Sequence, residues 1–236
     1  MTVLLESIRA VLFDLDDTLY DRKAAQIMVL ELIVKRFPHI FGRFEKERVI
    51  EAFLESDSLL TINFNAGAPS EGIREERSRI FLEILGIRED IVDTITEIYV
   101  DEYPKLNAVM PGAFELVKEL SGRYQIGVVS NGLPDVQYIK LESMGLRDLF
   151  SCVVLSEELG IRKPDPRIFH QAADLIKMSP ADCLYIGNSY KDDIAGAKAA
   201  GMLACWLKSS PSSSPDGEYE ADFVIGNLKD LTGILL

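Results

Sequence analysis

The sequence predicts an α/β protein, a doubly wound parallel sheet interrupted by one all-helical insertion. Three observations point there. Short, continuous apolar runs rich in β-branched residues recur along the chain, and after residue 108 they alternate with helical stretches. Between about residues 21 and 107 the alternation stops and only helical patterns remain. Continuous apolar runs separated by helices belong to strands buried on both faces, the condition of a parallel sheet covered by helices.

The first run, "IRAVLFD", predicts a strand ending at Asp14. The insertion follows it directly. "AAQIMVLELIVKRF", "KERVIEAFLESDSLL", "IREERSRIFLEILG" and "REDIVDTITEIYVDEY" each carry an apolar stripe at helical spacing, and "TINFNAGAPSEG" reads as a loop between two of them. A helical insertion after the first strand reads as a cap domain with joints near Tyr20–Asp21 and Lys105–Met110. Residues 1–20 and 108–236 then form the core, and residues 21–107 the cap.

Past the insertion, strands are expected at "YQIGVVS", "FSCVVLS", "DCLYIGN", "MLACWL" and "DFVIG", with helices over 112–121, 133–144, 165–177 and 191–200. The Ser/Pro-rich "KSSPSSSPDGEYEAD" reads as a solvated loop between the last two strands.

Composition narrows the function. The 236 residues, 47% hydrophobic and 27% charged, are those of a soluble globular protein. A net charge of −13 argues against nucleic acid and anionic membrane as partners, and obliges any anionic substrate to find local positive groups. No apolar run approaches the roughly 18 residues of a membrane span, and "MTVLLESIRAVLFD" lacks the basic start and cleavage site of a signal peptide. Cys152, Cys183 and Cys205 lie in or beside apolar runs without metal-type spacing, so buried thiols in a reducing cytoplasm are expected. His39 and His170 have no companions at triad or ligand spacing, which leaves little room for a serine–histidine hydrolase or a histidine-rich zinc site.

In doubly wound sheets the ligand sits beyond the carboxyl ends of the strands. The residues closing each run therefore matter most: Asp14-Leu15-Asp16-Asp17-Thr18, then Ser130-Asn131-Gly132, then Lys163 in "EELGIRKPDP", then Asn188, Asp192 and Asp193 in "NSYKDDIAGAKAAGM". Taken singly, each has an ordinary explanation. Ser-Asn-Gly is a turn sequence, Lys-Pro-Asp-Pro a rigid loop opening a helix, and Asp192 and Asp193 suit a helix N-terminus. Asp17 reads as a solvated or loop-bracing carboxylate. Four such groups, in order at successive strand ends, exceed what those explanations cover.

In this ordered set the chain resembles the hydrolases of the haloacid dehalogenase superfamily with a helical cap of the first type, along nearly its whole length. The resemblance implies a Rossmann-like core, a cytoplasmic location and a phosphatase acting on a small phosphorylated metabolite, as a monomer or small homo-oligomer. The residues agree with that chemistry. Carboxylates at i and i+2 leaving a strand can point the same way. Asp14 suits a nucleophile forming an aspartyl-phosphate, and Asp16 the general acid and later base. A hard divalent cation, Mg²⁺, would neutralise the carboxylates and the phosphate together.

The resemblance assigns the other roles. Asp14 and the main-chain carbonyl of Asp16 would ligate the metal, with Asn188 and Asp193 completing the site directly or through water. Thr18 would fix the nucleophile loop beside the phosphate, Ser130 would donate to a phosphoryl oxygen, Asn131 would contribute a backbone amide, and Lys163 would hold the phosphate. Many superfamily phosphatases have aspartate where this chain has Asn188, so weaker metal binding is implied.

Three rivals stand beside this reading. True dehalogenases of the superfamily need no metal and lack a carboxylate two residues past the nucleophile, so Asp16 favours the phosphatase. A phosphomutase would use the same core with a cap that relays a sugar phosphate. A phospho-ligand sensor or scaffold would keep the fold without turnover. Phosphoglycolate, sugar phosphates, nucleoside monophosphates and glyceraldehyde 3-phosphate are the substrates the resemblance suggests. Asn63, Asn65, Arg74 and Arg77 lie in or after the cap loop, where a solvated face is the simpler expectation.

Overall fold

A computed structural model describes residues 7–65, 71–208, 215 and 218–236. Residues 66–70 of the loop read at 61–72, most of the Ser/Pro-rich stretch and the first six residues of the chain lie outside them. The chain divides into two compact units, Met1–Asp21 with Asn107–Leu236, and Arg22–Leu106.

Among the described residues the first unit holds six parallel strands: β1 (Ala10–Phe13), β2 (Gln125–Ser130), β3 (Cys152–Leu155), β4 (Cys183–Gly187), β5 (Leu203–Leu207) and β6 (Phe223–Ile225). Their spatial order is β3-β2-β1-β4-β5-β6, all neighbours running parallel. The runs are continuous because both faces are covered. On one face Ala10, Leu12, Val129, Tyr185, Ala204 and Trp206 share a core with Ile168, Phe169, Ala172 and Ala197. The intervening Val11, Phe13, Val128, Leu184, Ile186 and Cys205 point the other way and are equally buried. Only β6 has an exposed residue of this kind, Val224, as befits an edge strand. All three cysteines are buried and free.

The described residues of the second unit form helices and no strand: α1 (Arg22–Arg36), α2 (Pro38–Phe41), α3 (Lys46–Asn65), α4 (Ile73–Leu85) and α5 (Val92–Glu102). Helix α3 continues five residues into the stretch read as loop, because nothing between Thr61 and Asn65 is a Gly or Pro that would stop it. The unit is centred on aromatic contacts among Phe41, Phe53, Phe81, Tyr99 and Tyr103. Arg77, expected on a solvated face, is buried among them, its guanidinium 3.0 Å from the centre of the Tyr99 ring. The stem and flat head of an arginine pack on aromatic faces as a lysine could not.

After the insertion come α6 (Ala113–Ser121), α7 (Pro134–Ser143), α8 (Ser156–Leu159), α9 (Pro166–Leu175), α10 (Ala195–Ala199) and α11 (Thr232–Leu235). The helix expected over 191–200 opens instead with a π-helical turn, Tyr190–Ile194, before α10. The joints of the insertion are tied within the first unit by Asp21 N to Ala108 O (2.7 Å) and Met110 N to Leu19 O (2.8 Å). Among the described residues no helix is long and apolar enough to cross a membrane.

Candidate active site

The chain leaves β1 for strands on one side of it and returns to β4 on the other, so β1 and β4 flank the point where strand order reverses. Crevices at such points bind ligands in doubly wound sheets. Asp14 follows β1, Ser130 ends β2 and Asn188 follows β4, all at the carboxyl edge.

Asp14 is buried, and its Oδ1 lies 2.6 Å from Lys163 Nζ. The same ammonium donates to Asp193 Oδ1 at 2.7 Å and to the Tyr185 hydroxyl at 3.0 Å. Lys163 is delivered there by the loop before α9. Asp165 caps that helix by accepting from Arg167 N, with Pro166 in its first turn. The Asn131 side chain clamps the lysine's own peptide, Nδ2 donating to Lys163 O (3.1 Å) and Oδ1 accepting from Lys163 N (2.8 Å). Asn131, expected beside a phosphate, thus spends its side chain on holding Lys163.

Asp193 is turned inward by the π-helical turn, with Oδ2 accepting from Ser189 N at 2.9 Å. Wide turns of this sort often mark functional positions. Its carboxyl group lies where a Cβ on Gly187 would be, 2.4 Å away, so the end of β4 must be glycine. Asp192 remains outside this contact.

The electrostatics follow from the count of buried charges, two carboxylates against one ammonium. Burial, added to by Asp193 and Asp16 and opposed by Lys163, raises the Asp14 carboxyl to about 7. Burial alone would lower Lys163, but Asp14 and Asp193 outweigh it and hold the ammonium well above its ordinary value. Burial likewise keeps Tyr185 a neutral phenol, well above 10, which donates to Val129 O at 3.0 Å.

Asp16 belongs to a neighbouring network. Its Oδ1 accepts from Lys140 Nζ at 2.5 Å and its Oδ2 from Gln137 Nε2 at 2.8 Å. Gln137 Nε2 also reaches Ser130 Oγ at 2.8 Å, and Gly132 N reaches it at 3.1 Å. Asp17, next along, has φ 58°, a left-handed turn that aspartate tolerates better than most residues.

Thr18 Oγ1 lies 3.3 Å from Asp14 Oδ2 and 3.5 Å from Asn188 Oδ1. One hydroxyl hydrogen cannot satisfy two acceptors, so oxygen lone pairs are left over between Asp14 and Asn188. The Asn188 backbone is held in turn by Trp206 Nε1 at 3.0 Å. Oxygen donors of this kind suit a hard divalent cation. Asp193, with one oxygen on Lys163 and the other on Ser189 N, is less available. Among the described residues no three His, Cys, Asp or Glu side chains gather at one point, so a cation here would rely on carbonyl oxygens as well.

A family profile for haloacid dehalogenase-like hydrolases matches residues 8–201, from before β1 to just beyond α10. The chain is a haloacid dehalogenase-like hydrolase. Among its relatives is the glyceraldehyde 3-phosphate phosphatase of Methanothermobacter thermautotrophicus, 29% identical over 96% of this chain and 95% of that one. The pyrimidine 5'-nucleotidase YjjG of Escherichia coli is 30% identical over 60% of this chain, a match spanning only 63% of that protein's length. The crystal structure of the HAD-hydrolase YfnB of Bacillus subtilis, bound to magnesium, superposes with a TM-score of 0.81 at 26% identity, covering 97% of this chain and 98% of that one. The 2-haloacid dehalogenase of Pseudomonas syringae pv. Tomato DC3000 has the same fold, with a TM-score of 0.63 at 26% identity, covering 97% and 98%.

Within this hydrolase, Asp14, Thr18, Lys163, Asn188 and Asp193 share one cluster, and Asp16 and Ser130 a second one beside it. The sequence reading missed Tyr185, Gln137 and Lys140. Tyr185 sits in the apolar run "CLYIG" and looks like core. Gln137 and Lys140 left a usable signal, because with Leu141 and Met144 they form an i, i+3, i+4, i+7 stripe, where polar members need buried partners.

Proposed function

We propose that this hydrolase is a phosphatase acting on a small phosphorylated metabolite through an aspartyl-phosphate on Asp14. The observation that carries the reading is Asp16, a carboxylate two residues past Asp14 with hydrogen-bond partners of its own beside Ser130. Transfer of a halide leaving group has no use for such an acid, whereas an alkoxide leaving group does. Named phosphatases among the relatives support the same choice.

The residues divide the work as follows. Asp14 Oδ1, on the Lys163 side, attacks phosphorus and the bond to the leaving oxygen breaks, while Asp16, entering this step in its protonated form, gives that oxygen its proton. Lys163 and the Ser130 hydroxyl hold the phosphoryl oxygens as charge spreads over them. Asp16 then takes a proton from the water that attacks the aspartyl-phosphate, releasing inorganic phosphate and restoring Asp14. Mg²⁺, held by Asp14 Oδ2, the main-chain carbonyl of Asp16 and Asn188 Oδ1, would supply positive charge to the phosphoryl group.

The test is a panel of phosphate monoesters, including glyceraldehyde 3-phosphate and nucleoside monophosphates, assayed with and without Mg²⁺ beside a panel of 2-haloacids. Release of phosphate that depends on the metal is expected. Release of halide with no phosphatase activity would replace this reading with the dehalogenase one.

A further inference from the structure

We infer that Gln137 and Lys140 are positioning residues for proton transfer: together they fix the Asp16 carboxylate, and Gln137 also leaves Ser130 with its hydrogen free to donate. This rests on the phosphatase reading above and deepens it.

Both side chains come from the core-facing stripe of α7, and both are almost completely buried, at 1% and 2% exposure. Leu141 and Met144 on the same stripe need no explanation. A glutamine and a lysine there do, because burying an amide or an ammonium is costly unless its donors are used. Their hydrogen bonds converge on one carboxylate. Lys140 takes Asp16 Oδ1, and Gln137 takes Asp16 Oδ2. The lysine also lies 4.6 Å from the centre of the Tyr20 ring, a cation–π contact that limits its swing. The Asp16 side chain keeps 26% of its surface open, so the carboxylate is held from behind and accessible from the front.

Ser130 is set by subtraction. Its Oγ accepts from Gly132 N and from Gln137 Nε2, which uses both lone pairs of a hydroxyl. The remaining hydrogen has only the donor's role to play, the one a phosphoryl oxygen requires. Gln137 Nε2 therefore spends one hydrogen on Asp16 and the other on Ser130, linking the proton donor to the phosphate donor. The amide must face this way, since its oxygen would oppose a carboxylate.

Two features mark the arrangement as built. Gln137 Oε1 is buried with no hydrogen-bond partner among the described residues, a cost that the two bonds of Nε2 help to offset. The glutamine also crosses directly over Gly132, where a Cβ would fall 1.9 Å from Nε2. Gly132 has no left-handed φ, so its glycine serves space for Gln137 rather than the turn.

The experiment compares kcat for phenyl phosphate and p-nitrophenyl phosphate, two esters of similar shape whose leaving groups differ in their need for a proton. Wild type, Gln137→Leu and Lys140→Met are assayed with Mg²⁺, each shown by a cooperative thermal transition to be folded. Both variants are expected to raise the p-nitrophenyl to phenyl ratio by about tenfold or more, part of the span that a general acid contributes. Inhibition by inorganic phosphate should weaken in Gln137→Leu alone, because only that variant touches Ser130. If Lys140→Met fails to fold, Gln137→Glu, which sets an acceptor against Asp16, must raise the ratio instead. Equal losses on both esters, or an unchanged ratio, would overturn the assignment while leaving the phosphatase reading intact. A wild-type protein that releases phosphate from neither ester nor from any monoester of the panel above refutes that reading and this inference with it.

Discussion

Lys163 Nζ lies 2.6 Å from Asp14 Oδ1 and 2.7 Å from Asp193 Oδ1, one buried ammonium shared by two buried carboxylates. The cluster therefore carries surplus negative charge in a place where water cannot screen it. Burial, added to by Asp193 and Asp16 and opposed by Lys163, raises Asp14 to about 7, and the charge count defines what the protein is prepared to receive. Several measurable consequences follow from the imbalance alone.

The first concerns pH and stability without metal. A carboxyl raised from 3.8 to about 7 on folding binds a proton in the native state that the unfolded chain lacks between those values. Its effect on stability is thus unfavourable above pH 7 and is relieved as pH falls. Asp14→Asn is neutral at every pH and balances the cluster one to one. In EDTA at pH 8 the variant should melt above wild type, and the difference should shrink towards pH 5. A variant less stable than wild type at pH 8 would contradict the charge count.

The second consequence concerns Lys163→Met, which keeps the length of the side chain and removes its charge. Asp14 and Asp193 would then face each other uncompensated, and breaking a buried pair from one side costs about 3–5 kcal/mol. Urea denaturation at pH 8 should show a midpoint lowered accordingly, with partial recovery at pH 5 as a carboxylate takes up a proton. A midpoint unmoved at both pH values would mean that the cluster is not buried in solution.

Much of this was legible in the sequence, and the parts that were not share a cause. The sheet was readable because β1, β4 and β5 are apolar without interruption, a pattern a surface helix does not produce. The polar residues at strand ends were readable because the core stops abruptly at Asp14, Ser130 and Asn188. Helix limits were less so. At Thr61–Asn65 neither propensity nor a stop signal separates helix from loop, and at Tyr190–Ile194 the wide turn depends on the Asp193 carboxyl reaching back to Ser189 N. Long-range pairings such as Lys140 with Asp16, 124 residues apart, leave no local trace beyond a misplaced charge on an apolar stripe.

The metal makes the third prediction. With leftover oxygen lone pairs at Asp14 and Asn188 and only a neutral amide where a second carboxylate would add charge, binding should be modest. Turnover should vanish in EDTA and return with Mg²⁺, and Asn188→Asp should lower the Mg²⁺ concentration needed for half-maximal activity. Full activity in EDTA would exclude the metal-dependent scheme.

A fourth prediction concerns Asp16→Asn. The change keeps size and removes the transferable proton, a loss of about 10²–10⁴-fold when protonation matters. That loss should appear on an alkyl phosphate and be much smaller on p-nitrophenyl phosphate. An unchanged ratio of the two rates would remove Asp16 from the acid role.

The most direct measurement is to find the phosphoryl group itself. Asp16→Asn, incubated with Mg²⁺ and p-nitrophenyl phosphate and quenched rapidly in acid, should hold phosphate on the peptide containing Asp14, because departure of the good leaving group outruns hydrolysis that lacks its base. Peptide mapping by mass spectrometry should place the group on Asp14, and the Asp14→Asn protein should neither acquire it nor turn over substrate. Steady turnover by Asp14→Asn, or a phosphoryl group found on any other residue, would contradict the account.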